Sequence, residues 1–187
     1  MAEIRQVETL IEMESSVRNR TTVLFRYILI APIALFLWSL SVSLIIPVAL
    51  AIVFRRVYPS YLLSFNHALT ELNLRVASYA LLLTDAYPSL ERDPRFAILF
   101  PDVEQGRRLS RGLPIVKWLL AIPLYLVGIF YLVVALAITI FAWISILFSG
   151  EYPNRGREYV VGTLKYWNRV LGYSYLLVTD EYPSFRL

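Results

Sequence analysis

Residues 113–148, LPIVKWLLAIPLYLVGIFYLVVALAITIFAWISILF, carry a single charge, Lys117. A run this long and this apolar passes the roughly 18-residue threshold for a membrane-crossing helix. A second such block, residues 23–54, has Arg26 as its only charge. Both cations fall in the first turn of their block, where a long side chain is expected to snorkel to the headgroups. The whole composition agrees: 58% of residues are hydrophobic, 17% are charged and the mean hydropathy is +0.59. An average soluble chain is roughly half apolar and a quarter charged. With 13 Tyr, 10 Phe and 4 Trp at a net charge of +4, the sequence does not have the composition of a disordered chain. The first block does not read as a signal peptide, because a Glu- and Arg-rich segment precedes it and no small-residue cleavage site follows.

The blocks are too long for straight spans. A helix of either length would reach about 50 Å, well past the roughly 30 Å hydrocarbon core. Pro32 and Pro47 interrupt the first block around Ser39, Ser41 and Ser43, and Pro114, Pro123 and Gly128 punctuate the second. Each block is therefore either one kinked helix or a helical hairpin that enters and leaves on the same side. Three Lys or Arg residues precede the first block, eight lie between the blocks and five follow the second. A single crossing per block would put the basic middle segment outside, against the positive-inside tendency. Hairpins are favoured on that ground. The other even-numbered solution pairs one kinked span with the semi-polar helix that follows it. Either way the termini and the central linker are expected on the cytoplasmic side of an inner membrane.

The chain also repeats itself. Tyr58-Pro59 and Tyr152-Pro153 each follow an apolar block, and Thr84-Asp85-Ala86-Tyr87-Pro88-Ser89 and Thr179-Asp180-Glu181-Tyr182-Pro183-Ser184 close the two units. Between them lie Asn73-Leu74-Arg75-Val76 and Trp167-Asn168-Arg169-Val170. The expected fold is an all-α membrane protein of two tandem repeats, each a broken membrane block followed by an amphipathic interfacial helix. Repeat 1 covers 22–89, with its block at 23–54 and its semi-polar helix at 60–84. Repeat 2 covers 113–187, with its block at 113–148 and its helix at 154–179. In the first semi-polar helix Ser60, Ser64, His67, Glu71, Arg75 and Ser78 share one face, and in the second Glu158, Lys165 and Arg169 do so. The Tyr and Trp beside them favour a place at the membrane surface. His67 and Glu71, one helical turn apart, are read as solvated or interfacial rather than as a proton relay.

The Thr-Asp-x-Tyr-Pro-Ser element reads as a helix stop and turn, since proline restricts the residue before it and Thr and Asp bond nearby backbone. Its functional reading pairs Asp85 and Asp180 with Arg75 and Arg169, or with a partner's cation. Candidate structural or interaction residues are thus Arg75, Asp85, Tyr87, Pro88, Asn168, Arg169, Asp180, Tyr182 and Pro183. Residues 1–21 place Ile4, Val7, Leu10, Ile11 and Val17 at helical spacing among Glu8, Glu12 and Glu14, which predicts an amphipathic helix outside the bilayer. The linker, residues 90–112, mixes charges and ends in Arg107, Arg108 and Arg111. With Lys117 these are the expected contacts for anionic lipid. Interleaved acids argue against nucleic acid as a partner.

The two sets of landmarks resemble a family of bacterial membrane proteins known as domain-of-unknown-function family 4389. The resemblance rests on Gly150-Glu151-Tyr152-Pro153, Trp167-Asn168-Arg169-Val170 and Thr179-Asp180-Glu181-Tyr182-Pro183-Ser184-Phe185, with the first-copy counterparts quoted above. Ser89 and Ser184 stand where the family has a second proline, and Arg56-Val57 replaces the glycine-containing turn before Tyr58. The resemblance implies a bacterial inner-membrane protein and carries no catalytic activity.

Chemistry is sparse. With one His and no Cys, thiolate sites and disulfides are excluded, and no Gly-rich phosphate loop or nucleophile elbow is present. No cofactor or metal is expected. The residues point to a non-enzymatic membrane protein acting as a scaffold, accessory subunit or membrane-shaping hairpin, with bilayer lipid and an unidentified membrane protein or a second copy as partners. The competing reading is a transport component with a polar pathway between the repeats.

Overall fold

Each apolar block folds as one long rod. In a computed structural model, which describes residues 4–12 and 17–187 except the side chains at 21, 42 and 43, the first block forms α1 (Arg20–Ser43) and α2 (Ile45–Leu50). A wide π-type turn, Ala51–Arg55, ends it. The second block forms α4 (Leu113–Leu120) and α5 (Ile122–Ser149), parted only at Ala121. The hairpin expectation is therefore corrected in favour of kinked rods. Pro47 and Pro123 fall in the first turns of α2 and α5, where a missing N–H costs nothing. Gly128 bends no loop either: it lies inside α5 against Trp167, whose ring would stand 2.9 Å from an added Cβ.

The semi-polar stretches form α3 (Ser60–Ala80) and α6 (Asn154–Ser174), and α3 runs back along α1 as α6 runs back along α5. The start of α1 meets the end of α5, where Arg18 N donates to Gly150 O at 2.9 Å. The end of the first block meets the chain leading into α4, with Val48 and Ile52 packed in one core with Leu109, Leu177 and Val178. The two rods are thus antiparallel.

The structure is mostly but not wholly helical. Residues Glu8–Ile11 form β1, paired antiparallel with β2 (Phe96–Leu99) in the register Glu8 with Leu99 and Ile11 with Phe96. This corrects the helix expected for the leading segment. Val7 and Thr9 turn inward while Glu8 and Leu10 stay exposed, the two-residue alternation of a strand laid on a core; Glu14 lies outside the described residues. The sheet covers α3 and α6: His67 Nε2 is 2.6 Å from Ile98 O, and Asn168 Nδ2 donates to Thr9 Oγ1 at 3.0 Å. The opposite face of α3, with Leu69, Leu72 and Val76, packs on α1. Three layers result: the long apolar helices, then α3 with α6, then the sheet and linker.

Two helical segments, Thr22–Arg55 and Ile122–Ser149, are long and apolar enough to cross a membrane, and only 19% and 22% of their most apolar windows are buried. Neither is the buried core helix of a globular domain. Ile122, Leu126, Ile129, Phe130, Val133 and Ile140 line one exposed face of α5, an apolar stripe about 27 Å long. By contrast α3 from Leu69 onward is covered by α1, α6 and the sheet, with Arg75 and Ser78 buried, while Ser60, Tyr61, Ser64 and Phe65 in its first turns stay exposed.

The linker turns tightly under the end of the first rod. Tyr58 N donates to Gln105 O at 2.9 Å, and Gly106, at φ +97°, would set a Cβ 2.6 Å from Tyr58 N. Gly106→Ala is expected to cost at least about 1–2 kcal/mol through left-handed strain, with the backbone clash added. Gly112→Ala, which meets open space, should leave the midpoint of denaturant unfolding in mild detergent nearly unchanged.

Candidate functional site

Each Thr-Asp turn closes over its own buried cation. α3 ends at Ala80 and the chain reverses through Leu82 at φ 65°; α6 ends at Ser174 and reverses through Leu177 at φ 57°. These left-handed residues turn the following carbonyls and carboxylate back toward the long helix. Thr84 Oγ1 accepts from Ala86 N, and Thr179 Oγ1 accepts from Glu181 N, each at 3.1 Å. These side-chain turns fix the Asp between them.

Asp85 Oδ1 lies 2.5 Å from Arg26 Nη2, and Asp180 Oδ1 lies 2.6 Å from Lys117 Nζ. The other carboxylate oxygens accept from Asn19 N and Ser110 N, both at 2.7 Å. Arg26 Nη1 donates to Tyr79 O and Thr84 O at 2.7 and 2.8 Å, and Lys117 Nζ donates to Thr179 O at 2.6 Å. The Arg26 guanidinium sits 4.3 Å from the Tyr79 ring centroid, and the Lys117 ammonium 5.1 Å from that of Tyr173, within cation–π range. Tyr87 and Tyr182 pack edge-on against those rings at 5.8 and 5.6 Å. Their hydroxyls donate to Leu29 O and Leu120 O, while Pro88 and Pro183 are buried beside them.

The expected snorkelling of Arg26 and Lys117 is thereby corrected: both are fully buried. Lys117 is not a lipid contact, because its charge is spent on Asp180. Arg107, Arg108 and Arg111 are exposed, with Arg108 paired to Glu104 at 2.7 Å. The pairing of the two Asp residues with Arg75 and Arg169 is corrected as well. Arg75 donates to the backbone oxygens of Glu71 and Glu91, and Arg169 to Arg186 O. Glu71 lies 3.9 Å from His67 Nε2 and 3.7 Å from Arg92, so the His67, Glu71 and Arg75 part of the α3 stripe faces the linker. The true partners were signalled by arithmetic alone, since each block holds one cation and each unit one recurring acid.

The units also grip each other. Tyr58 OH donates to Leu176 O at 2.9 Å and accepts from Asn66, so the first Tyr-Pro turn sits on the second Thr-Asp turn. Tyr152 packs with Val23, Leu82 and Leu83, setting the second Tyr-Pro turn on the first Thr-Asp turn. Burial pushes both phenols up to about 12, the Asn66 bond holding Tyr58 back only in part. The residue before each turn is left-handed, Arg56 at φ 52° and Gly150 at φ 81°. Glycine takes that conformation freely, which is why Arg56 can fill the place of Gly150 only at some strain.

No cluster of three or more His, Cys, Asp or Glu suited to a metal occurs among the described residues. The charged pairs neutralise one another, so the arrangement acts as two clamps.

Residues 114–186 match the family described as Domain of unknown function (DUF4389), a match to the second Thr-Asp unit and not to the first. No curated protein and no solved structure matches the chain.

Two outcomes test the clamps. Lys117→Met leaves Asp180 unpaired and should cost about 3–5 kcal/mol, whereas Lys117→Met with Asp180→Asn should recover much of it; equal unfolding midpoints for the single and double variants would refute the pairing. For Tyr58 and Tyr152 folding favours the neutral phenol, so their contribution is complete below the ordinary pKa of 10.0 and is lost as pH rises through about 12. Ultraviolet titration of tyrosinate should show Tyr58 and Tyr152, with Tyr166, which burial also pushes up to about 12, ionising last and together with unfolding.

Proposed function

We propose that this is a non-enzymatic membrane-shaping protein of the bacterial inner membrane, built from two copies of one unit and set into a single leaflet. Its long helices α1 and α4–α5 lie in the membrane plane, and the sheet and linker face the cytoplasm. The single observation behind this reading is the position of the polar layer. The sheet and linker lie on the side of α3 and α6 away from the long helices, with Glu8 and Arg92 exposed on them; Arg92 stands 3.7 Å from Glu71, two residues from Asn73, whose amide reaches Ser41 in α1. If α1 and α5 stood upright, these charges and the open edges of a two-stranded sheet would lie at mid-bilayer depth facing lipid, where unsatisfied backbone and isolated charges cost several kcal/mol each. Laid flat, the same molecule puts its apolar layer in the acyl region and the sheet and linker on the cytoplasmic side. That agrees with one side for the Lys and Arg of the three hydrophilic segments.

Rods inserted in one leaflet widen that leaflet alone, which is how a scaffold of this form bends a membrane. Arg107 and Arg111, next to exposed Ile115 and Trp118 at the start of α4, supply the contact with anionic headgroups, at about 1 kcal/mol per charge. The transport reading needs upright rods and a polar route between the units. Against it stands the placement of Arg75 and Arg169, which are bound to backbone carbonyls.

Topology decides between them. Ser89 lies beside the first clamp and Gly112 beside the second, at opposite ends of the antiparallel rods. Ser89→Cys and Gly112→Cys, in a chain with no native Cys, should both react with a membrane-impermeant maleimide from the cytoplasmic face only; labelling from opposite faces means upright spans. Reconstituted into phosphatidylethanolamine–phosphatidylglycerol vesicles, the protein should draw tubules visible by electron microscopy, and vesicles that stay spherical at high loading would count against membrane shaping.

A further inference from the structure

Below the junction of α3 and α6, on the side away from the sheet, lies a cavity of about 580 Å³ walled by α1, α3 and α6. Its lining is aliphatic and aromatic apart from neutral hydroxyls and the carboxamides of Asn66, Asn73 and Asn168, and no charged residue touches it. Pockets of this size and character accept small organic molecules. The α1 wall carries Trp38, which is 71% exposed, so the cavity is continuous with the apolar surface of the long helices.

The polar groups restrict what can enter. Asn73 uses its amide nitrogen on Ser41 Oγ and Leu69 O, Asn66 on Tyr58 OH and Asn168 on Thr9 Oγ1. In each the amide oxygen keeps its acceptor capacity, and an acceptor calls for a donor such as a hydroxyl. Ser41, also in the lining, accepts from Asn73 and keeps its own hydroxyl proton, which suits an ester carbonyl. A phosphate would bring negative charge among these oxygens with no cation to meet it, at a high desolvation cost.

We propose that this cavity binds a neutral, hydroxyl-headed lipid, diacylglycerol, drawn sideways from the bilayer. The hydroxyl donates to the carboxamide oxygens, an ester carbonyl accepts from the Ser41 hydroxyl, and an acyl chain runs out past Trp38. The inference rests on the membrane reading above, since the mouth of the cavity opens into acyl chains only where the long helices lie in lipid.

The full-length protein in phosphatidylethanolamine–phosphatidylglycerol vesicles, doped with a diacylglycerol bearing a diazirine in its chain, tests the idea. Irradiation should label peptides covering residues 34–41, 69–77 or 164–176, as well as the outer face of α5, which reports contact with the bilayer. Unlabelled diacylglycerol should lower the cavity label about tenfold, equivalent to ~1.4 kcal/mol of selectivity, and extra phosphatidylglycerol should not. Ala77→Trp, which fills the cavity, should abolish the cavity label while the α5 label persists and shows that the variant is folded and inserted. Label confined to α5, or cavity label displaced equally by phosphatidylglycerol, overturns the site while leaving the membrane reading intact. Absence of label on α5 overturns both.

Discussion

A fully buried ammonium or guanidinium group must have a carboxylate held against it, because desolvation of an unpaired charge outweighs the contacts of its aliphatic stem. Here that constraint falls once on each long helix. Arg26 and Lys117 have no solvent exposure, and each is met by the Asp of a turn that lies more than fifty residues further along the chain. To bring Asp85 to Arg26, α3 must run back along α1 for its whole length, and to bring Asp180 to Lys117, α6 must do the same along α5. The turn itself must be rigid, and Thr, Asp and Pro in fixed order make it so. The length and direction of the second-layer helices therefore follow from where the cations stand.

The two clamps lie at opposite ends of the molecule because the rods are antiparallel. Each Tyr-Pro turn then falls on the other unit's Thr-Asp turn, and the phenols of Tyr58 and Tyr152 are sealed beneath it. This cross-seating joins the ends of the units while their middles stay apart. The cavity under α3 and α6 is the space so left, lined by α1 and by the flanks of α3 and α6 that the clamps do not use. Side-chain pairs at the ends thus set the existence and the neutral character of a site between them.

Much of this was legible in the sequence. The apolar blocks, the helices after them and the turns that stop them all came from periodicity and recurring residues, because those features are local. What failed was non-local. Nothing near Val7 or Thr9 says that the leading segment pairs with Phe96–Leu99; its apolar spacing suits a helix, and only the covered face of α3 and α6 makes it a strand. The stripe from His67 to Ser78 likewise looks like a solvated face until the linker is folded over it. Proline counts suggested hairpins, but Pro47 and Pro123 occupy first turns, where proline continues a helix rather than breaking it.

The hairpin expectation has a single source. Positive-inside bookkeeping asks only that the three basic segments share a side, and it is blind to how the apolar blocks arrange that. Same-side hairpins satisfy it, but so does a molecule lying flat, with antiparallel rods and a polar layer running over their length. The second solution has a consequence the first lacks. A hairpin places its polar segments at its base, whereas a flat rod can carry them along its back, so the sheet and the charges of the linker need no aqueous pore to reach water. An amphipathic layer order built at right angles to the helix axes, rather than along them, is what separates a protein that lies in a membrane from one that crosses it.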